Sequence, residues 1–149
     1  MVVSRMVPAA ADVLFGIIVE PAQWGRWFSI HREFVGRPPV VLTEGSSLVS
    51  RTVFAGVATE VEWTVEVLDA PYRMVLLGTG VNGLRSEFTY WLRPSESGTM
   101  LTVGGVFTGP FVTAPLSRTL ESSGRDELHR TLEQLTDLAT GIGSAPPAG

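Results

Sequence analysis

The sequence predicts an α+β fold in which a curved antiparallel sheet of about six or seven strands wraps around one long C-terminal helix, with two short helices after the first strand. Three observations lead to it. Five segments between Ser47 and Phe107 alternate apolar and polar residues with period two, each bounded by turn residues. After Thr108-Gly109-Pro110 the apolar spacing changes to that of a helix. Near the start, Pro8 and Pro21 stand where helices begin, since proline lacks an N–H but suits a first helical turn.

Taken in order, Val2 to Val7 reads as a short strand closed by Pro8. Ala9 to Val19 follows as a helix with Val13, Leu14, Ile17 and Ile18 on its apolar face, and Pro21 starts a shorter helix through Trp24. From Trp27 to Pro39 the periodicity fails, and Arg32, Gly36, Arg37, Pro38 and Pro39 predict a surface loop of the length that often carries function. The strands then run Ser47 to Phe54, Thr59 to Leu68, Arg73 to Thr79, Leu84 to Arg93 and Thr99 to Phe107. In the second of these, Val61, Trp63, Val65 and Val67 share one face, while Glu60, Glu62 and Glu66 take the other, so one side of the sheet is wet. Leu116, Leu120, Gly124, Leu128, Leu132, Leu135 and Ala139 form the stripe of the long helix. Its outer face offers Glu121 with Arg125 and Asp126 with Arg130 at i,i+4. A one-sided sheet and a one-striped helix cover each other, which makes residues 1–140 a single domain and Gly141 to Gly149 a flexible tail.

Composition narrows the function. Apolar residues are 44% of the chain and charged residues 17%, enough apolar surface for a folded core. Fifteen acidic residues face eleven arginines and no lysine, for a net charge of −4 with no basic run, which argues against nucleic acid as a partner. The chain has no cysteine, so disulfides, thiolate zinc sites and cysteine nucleophiles are excluded, and a reducing cytoplasm fits. No stretch approaches the roughly 20 apolar residues of a membrane span. Met1 to Pro8 lacks the pattern of a signal peptide and is read as a mature start.

The motifs are few. Gly78-Thr79-Gly80-Val81-Asn82-Gly83 fits a G-x-G-x-x-G pattern, but a strand rather than a helix follows it, and Asn82-Gly83 is a strong hairpin signal. Of the two histidines, His129 falls on the flank of the long helix, while His31, in the irregular loop beside Trp27 and Phe28, is the candidate proton carrier. Two distant histidines suggest no metal site, and no serine nucleophile elbow is present. The inner face supplies ligand-binding candidates: Trp63, Val65, Leu76, Phe88, Tyr90, Leu101, Val103 and Phe107, with Leu120, Gly124 and Leu128 from the helix and Trp27 and Phe28 from the loop. Gly124 costs about 1 kcal/mol relative to alanine within a helix, so its place in the apolar stripe suggests a need for room. Tyr90 adds a hydroxyl and is the second catalytic candidate.

The Pro8 to Leu14 helix entry, the acidic Glu20 before Pro21 and the Trp24-Gly25-Arg26-Trp27 turn resemble the SRPBCC or START-like superfamily over roughly Ser4 to Thr140. More narrowly, Trp27-Phe28-Ser29-Ile30-His31, then Pro39, Leu42 and Gly45, Glu62-Trp63-Thr64 and Leu77 to Gly83, look like an actinobacterial cyclase/dehydrase-like branch with one member described as a toxin of a toxin-antitoxin pair. The resemblance implies a helix-grip fold around a hydrophobic cavity, without fixing a catalytic residue. The leading expectation is a protein that binds or carries a small hydrophobic molecule, lipid or polyketide-like, with no cofactor. One alternative is a cyclase, aromatase or dehydratase using His31 or Tyr90. Another is a toxin-like interaction module, partnered by an antitoxin-like protein or a second copy through the Trp27 to Pro39 loop or a sheet edge.

Overall fold

A computed structural model of the chain describes residues 1–80 and 83–141. Strand β1 (Val2–Val7) leads into helix α1 (Ala11–Ile18), a 3₁₀ turn (Pro21–Gln23) and the single-turn helix α2 (Trp24–Trp27). Strands β2 (His31–Val35), β3 (Ser47–Phe54), β4 (Val57–Asp69), β5 (Arg73–Thr79), β6 (Arg85–Ser95) and β7 (Gly98–Thr108) follow, and the long helix α3 (Ala114–Thr140) closes the order. The seven strands form one antiparallel sheet in the order β1-β7-β6-β5-β4-β3-β2, curled into a half-barrel. Strand β1 therefore pairs with β7 at one end of the sheet, while α1 and α2 carry the chain to β2 at the other.

Four details differ from the sequence expectation. First, the segment predicted as a loop contains β2, whose residues His31 to Val35 pair with β3. It is an edge strand with a register shift between His31 and Glu33, and Arg32, Glu33 and Val35 are exposed, so no alternation marks it. Second, Val67 does not share the inner face with Val61, Trp63 and Val65. A bulge between Val65 and Val67 shifts the register, so Leu68 pairs with the buried Met74 and packs against the core instead. Third, α1 buries Ala11, Leu14, Phe15 and Ile18 and leaves Val13 exposed, a face rotated from the predicted one because Phe15 is drawn into the core. Fourth, Arg130 pairs with Glu127 at 2.6 Å, one turn back, rather than with Asp126; Glu121 and Arg125 form no ion pair among the described residues.

Strand β5 ends at Thr79 and β6 begins at Arg85, and the two pair antiparallel, so the glycine-rich segment lies between two strands of the sheet. Residues 81–82 of the predicted hairpin turn, and residues 142–149 of the predicted tail, lie outside the described residues.

Helix α3 starts at Thr113, whose side chain accepts the Leu116 N–H at 3.4 Å, and stops at Gly141 with φ +78°. The predicted stripe is the buried face: Leu120, Gly124, Leu128, Leu132 and Leu135 all turn inward, joined by Thr131 and Thr136. The helix packs against β1, β7, α1 and α2. Leu132 and Leu135 are sealed in one cluster with Leu14, Ile18, Trp24, Trp27, Tyr90 and Leu101. The grip is tight along the C-terminal half of α3 and looser toward its start.

Candidate functional site: an apolar cavity under the start of the long helix

Where the grip loosens, a cavity of about 260 Å³ lies between the first turns of α3 and the sheet. From β4 it takes Val57, Thr59, Val61 and Trp63, the alternate residues that strand geometry aims to one face. Thr52 and Phe54 of β3, Ser86 and Phe88 of β6 and Phe107 of β7 add neighbouring wall, with Ile30 from the segment before β2. Leu116, Thr119 and Leu120 of α3 form the roof, with Phe111 before them. The exposed members mark the mouth: Ala55, Val57, Phe111 and Thr119. Ala55 and Gly56 turn the β3–β4 hairpin there with φ of +51° and +78°, the paired positive angles that a two-residue turn requires.

No ionisable side chain lines this space among the described residues; the polar groups on its lining side chains are the hydroxyls of Thr52, Thr59, Ser86 and Thr119 and the indole N–H of Trp63, which is buried without a hydrogen-bond partner. Aromatic rings dominate the inner wall. Phe54 and Phe107 lie 5.2 Å apart, Phe88 meets Phe107 edge-on at 6.1 Å, and Trp63 meets Phe88 at 5.9 Å. Such a lining offers dispersion contacts and excludes charge, because an ion entering it would lose its hydration without gaining a partner.

Of the residues expected to contact a ligand, Trp63, Phe88, Phe107 and Leu120 line the cavity. Trp27, Val65, Leu76, Tyr90, Leu101 and Val103 are sealed in the core and do not line it. Phe28, Gly124 and Leu128 border a much smaller void beside it. The room left by Gly124 is occupied: a Cβ there would fall 2.5 Å from both Sδ and Cε of Met1 and 3.2 Å from the Phe107 ring. The backbone of Met1 is fixed by exchange of hydrogen bonds with Gly105, so its thioether fills this slot.

The two proton-carrier candidates sit elsewhere. His31 is buried at the start of β2, with Nδ1 2.5 Å from Ser50 Oγ and its ring between Trp24 at 5.9 Å and Phe34 at 4.3 Å. Burial first, and then the positive charge of Arg32, lower its pKa from 6.5 to about 4, so the ring is neutral near pH 7. Tyr90 is fully buried, its hydroxyl has no protein partner, and burial raises its pKa above that of an ordinary phenol. Neither side chain lines the cavity. His129 is exposed on α3 as its position predicted. No three His, Asp or Glu side chains come together as a metal-binding group among the described residues, and none of the described helices is long and apolar enough to cross a membrane.

Sequence reasoning did not name Thr52, Phe54, Thr59, Val61, Leu84, Phe111, Leu116 or Thr119 as ligand candidates. For Thr59 and Val61 a signal existed, since they continue the alternation of Trp63 and Val65. For Phe111 none did, because it lies in an aperiodic connection.

A one-sided half-barrel gripping a terminal helix, with an apolar cavity between them, defines a helix-grip protein. The chain belongs to the family described as polyketide cyclase/dehydrase and lipid transport, which it matches over residues 1–140. Among its relatives is the uncharacterized protein Rv1546 of Mycobacterium tuberculosis, 24% identical over 135 residues that cover 91% of this chain and 94% of that one. Another relative from the same organism is named toxin Rv0910, 23% identical over 119 residues that cover 80% of this chain and 83% of the other. Solved structures share the fold. Protein Ms6760 from Mycobacterium smegmatis superposes with a TM-score of 0.73 at 17% identity, covering 94% of this chain and 90% of that one. Protein CV1439 from Chromobacterium violaceum gives 0.71 at 15%, covering 93% and 96%.

Proposed function

We propose that the protein binds and carries one small, neutral, largely apolar molecule in the cavity beneath the start of α3. The observation that carries this reading is the lining: some 260 Å³ enclosed by aromatic and aliphatic side chains, with four hydroxyls, the indole N–H of Trp63 and no ionisable group among the described residues. A dry apolar cavity of about 150 Å³ takes a benzene ring, so this one suits a body of about ten non-hydrogen atoms, such as two fused rings or a short branched chain. The family description, which joins polyketide cyclisation with lipid transport, supports the same class of ligand. The absence of cysteine accords with work in a reducing compartment such as the cytoplasm.

A cyclase or dehydratase would use the same cavity, and the family description favours that as the second reading. Proton transfer would then fall to groups other than His31 and Tyr90 unless the ligand reached past the cavity wall. The name of the relative Rv0910 supports a third role, as a toxin.

Native mass spectrometry of the protein purified from its own host, followed by extraction and identification of the bound molecule, tests the carrier reading. A stoichiometric neutral adduct is the expected result. A protein that emerges empty, and stays empty when offered neutral bicyclic compounds, would overturn it.

A further inference from the structure

The apolar cavity has a polar annex. Ile30, Phe54 and Phe88 line the cavity and also border a void of about 10 Å³, room for one water-sized group. Its far wall carries Ser29, Glu127 and Thr131. These three are linked: Thr131 Oγ1 donates to Ser29 Oγ at 3.2 Å, and Ser29 Oγ donates to Glu127 Oε2 at 2.5 Å. Arg130 holds the other carboxylate oxygen at 2.6 Å, and the Glu127 side chain is only 19% exposed. A nearly enclosed carboxylate thus stands one side-chain layer from a chamber with no charge of its own. Phe54 is the least enclosed member of that layer, half-buried where Ile30 and Phe88 are buried, so turning its ring is the simplest way to join the two spaces.

We propose that this niche receives the hydroxyl group of the ligand, with the ligand's apolar body in the chamber, so that the preferred class is a neutral alcohol or phenol of about eleven non-hydrogen atoms. The inference rests on the carrier reading and adds the polar end. A carboxylate oxygen has lone pairs beyond the one that Ser29 uses, and a hydroxyl can donate to it. A carboxylic acid is disfavoured because its anion would face Glu127 with no cation lining the chamber. An ammonium group is disfavoured because it must be stripped of water on an apolar path.

The test is calorimetric titration with naphthalene and 2-naphthol, two ligands with the same body. The wild-type protein is expected to bind 2-naphthol about tenfold more tightly than naphthalene, as befits a hydrogen bond to a charged acceptor. Glu127→Gln, which keeps an acceptor but loses the charge, should retain part of that preference. Glu127→Leu should lose it while naphthalene affinity stays unchanged, which also shows the variant to be folded. Equal binding of the two ligands by the wild type, or an undiminished preference in both variants, overturns the niche and leaves the carrier reading standing. Failure of both ligands to bind the wild type overturns the two together.

Discussion

At the scale of single residues, His31 shows how a side chain chosen for chemistry can serve the core. Its residue type and its aromatic neighbours were legible in the sequence; its burial was not, because β2 has no alternation to reveal that the chain turns inward there. The consequence is a pH dependence with a definite sign. The folded-state pKa is about 4 against 6.5 for the free side chain, so between these values the unfolded chain binds more protons. His31 thus favours the fold above pH 6.5, and this contribution is lost as the pH falls toward 4, by on the order of 3 kcal/mol. Denaturant unfolding at pH 7 and pH 4.5 should show a larger loss of stability for the wild type than for His31→Gln. Equal losses would mean that the histidine titrates normally in the folded protein.

Among elements, β4 and α3 illustrate what periodicity can and cannot carry. The alternation of β4 was plain as far as Val65, and it located Trp63 on the cavity wall. The bulge at Glu66 was invisible, since one inserted residue changes no composition yet turns Val67 away from the core and brings Leu68 in. The stripe of α3 was equally plain, but it did not say that Met1 fills the gap at Gly124. Two glycines therefore respond differently to the same substitution. At Gly78 of β5 a Cβ would lie 2.5 Å from the Trp63 ring and 2.5 Å from Ser86 Oγ, and Trp63 is almost completely enclosed. Gly78→Ala should cost about 2 kcal/mol, because a rigid indole must move into the cavity. Gly124→Ala meets only the flexible end of Met1 and the edge of Phe107, and gains about 1 kcal/mol of helix propensity, so it should be close to neutral. Urea midpoints at constant m-value will rank them; a Gly124→Ala protein weaker than Gly78→Ala would contradict this packing.

For the whole molecule, the match between a one-sided sheet and one helical stripe was the part most fully written in the sequence, because both are period patterns that follow directly from burial. The position of the opening was not. The Trp27 to Pro39 segment was read as a surface loop of a length that often carries function, yet Trp27, Phe28, Ile30 and His31 are buried there, and the cavity opens between the β3–β4 turn and Phe111. Where a grip is loose depends on how far the sheet curls away from the helix, a property of the assembled half-barrel rather than of any one segment. The chemistry follows from that geometry: the titratable candidates ended in the core, and the space that remained is apolar. The most direct measurement is a calorimetric series of neutral ligands of rising size, from benzene through naphthalene to anthracene, with 2-naphthoate as the charged control, on the wild type and on Leu120→Trp. Affinity should peak at the two-ring compound, exclude the anion by at least about tenfold, and vanish when the indole fills the cavity of a still-folded variant. Tighter binding of the anion, or naphthalene affinity unchanged in Leu120→Trp, would contradict an apolar cavity under α3 as the seat of function.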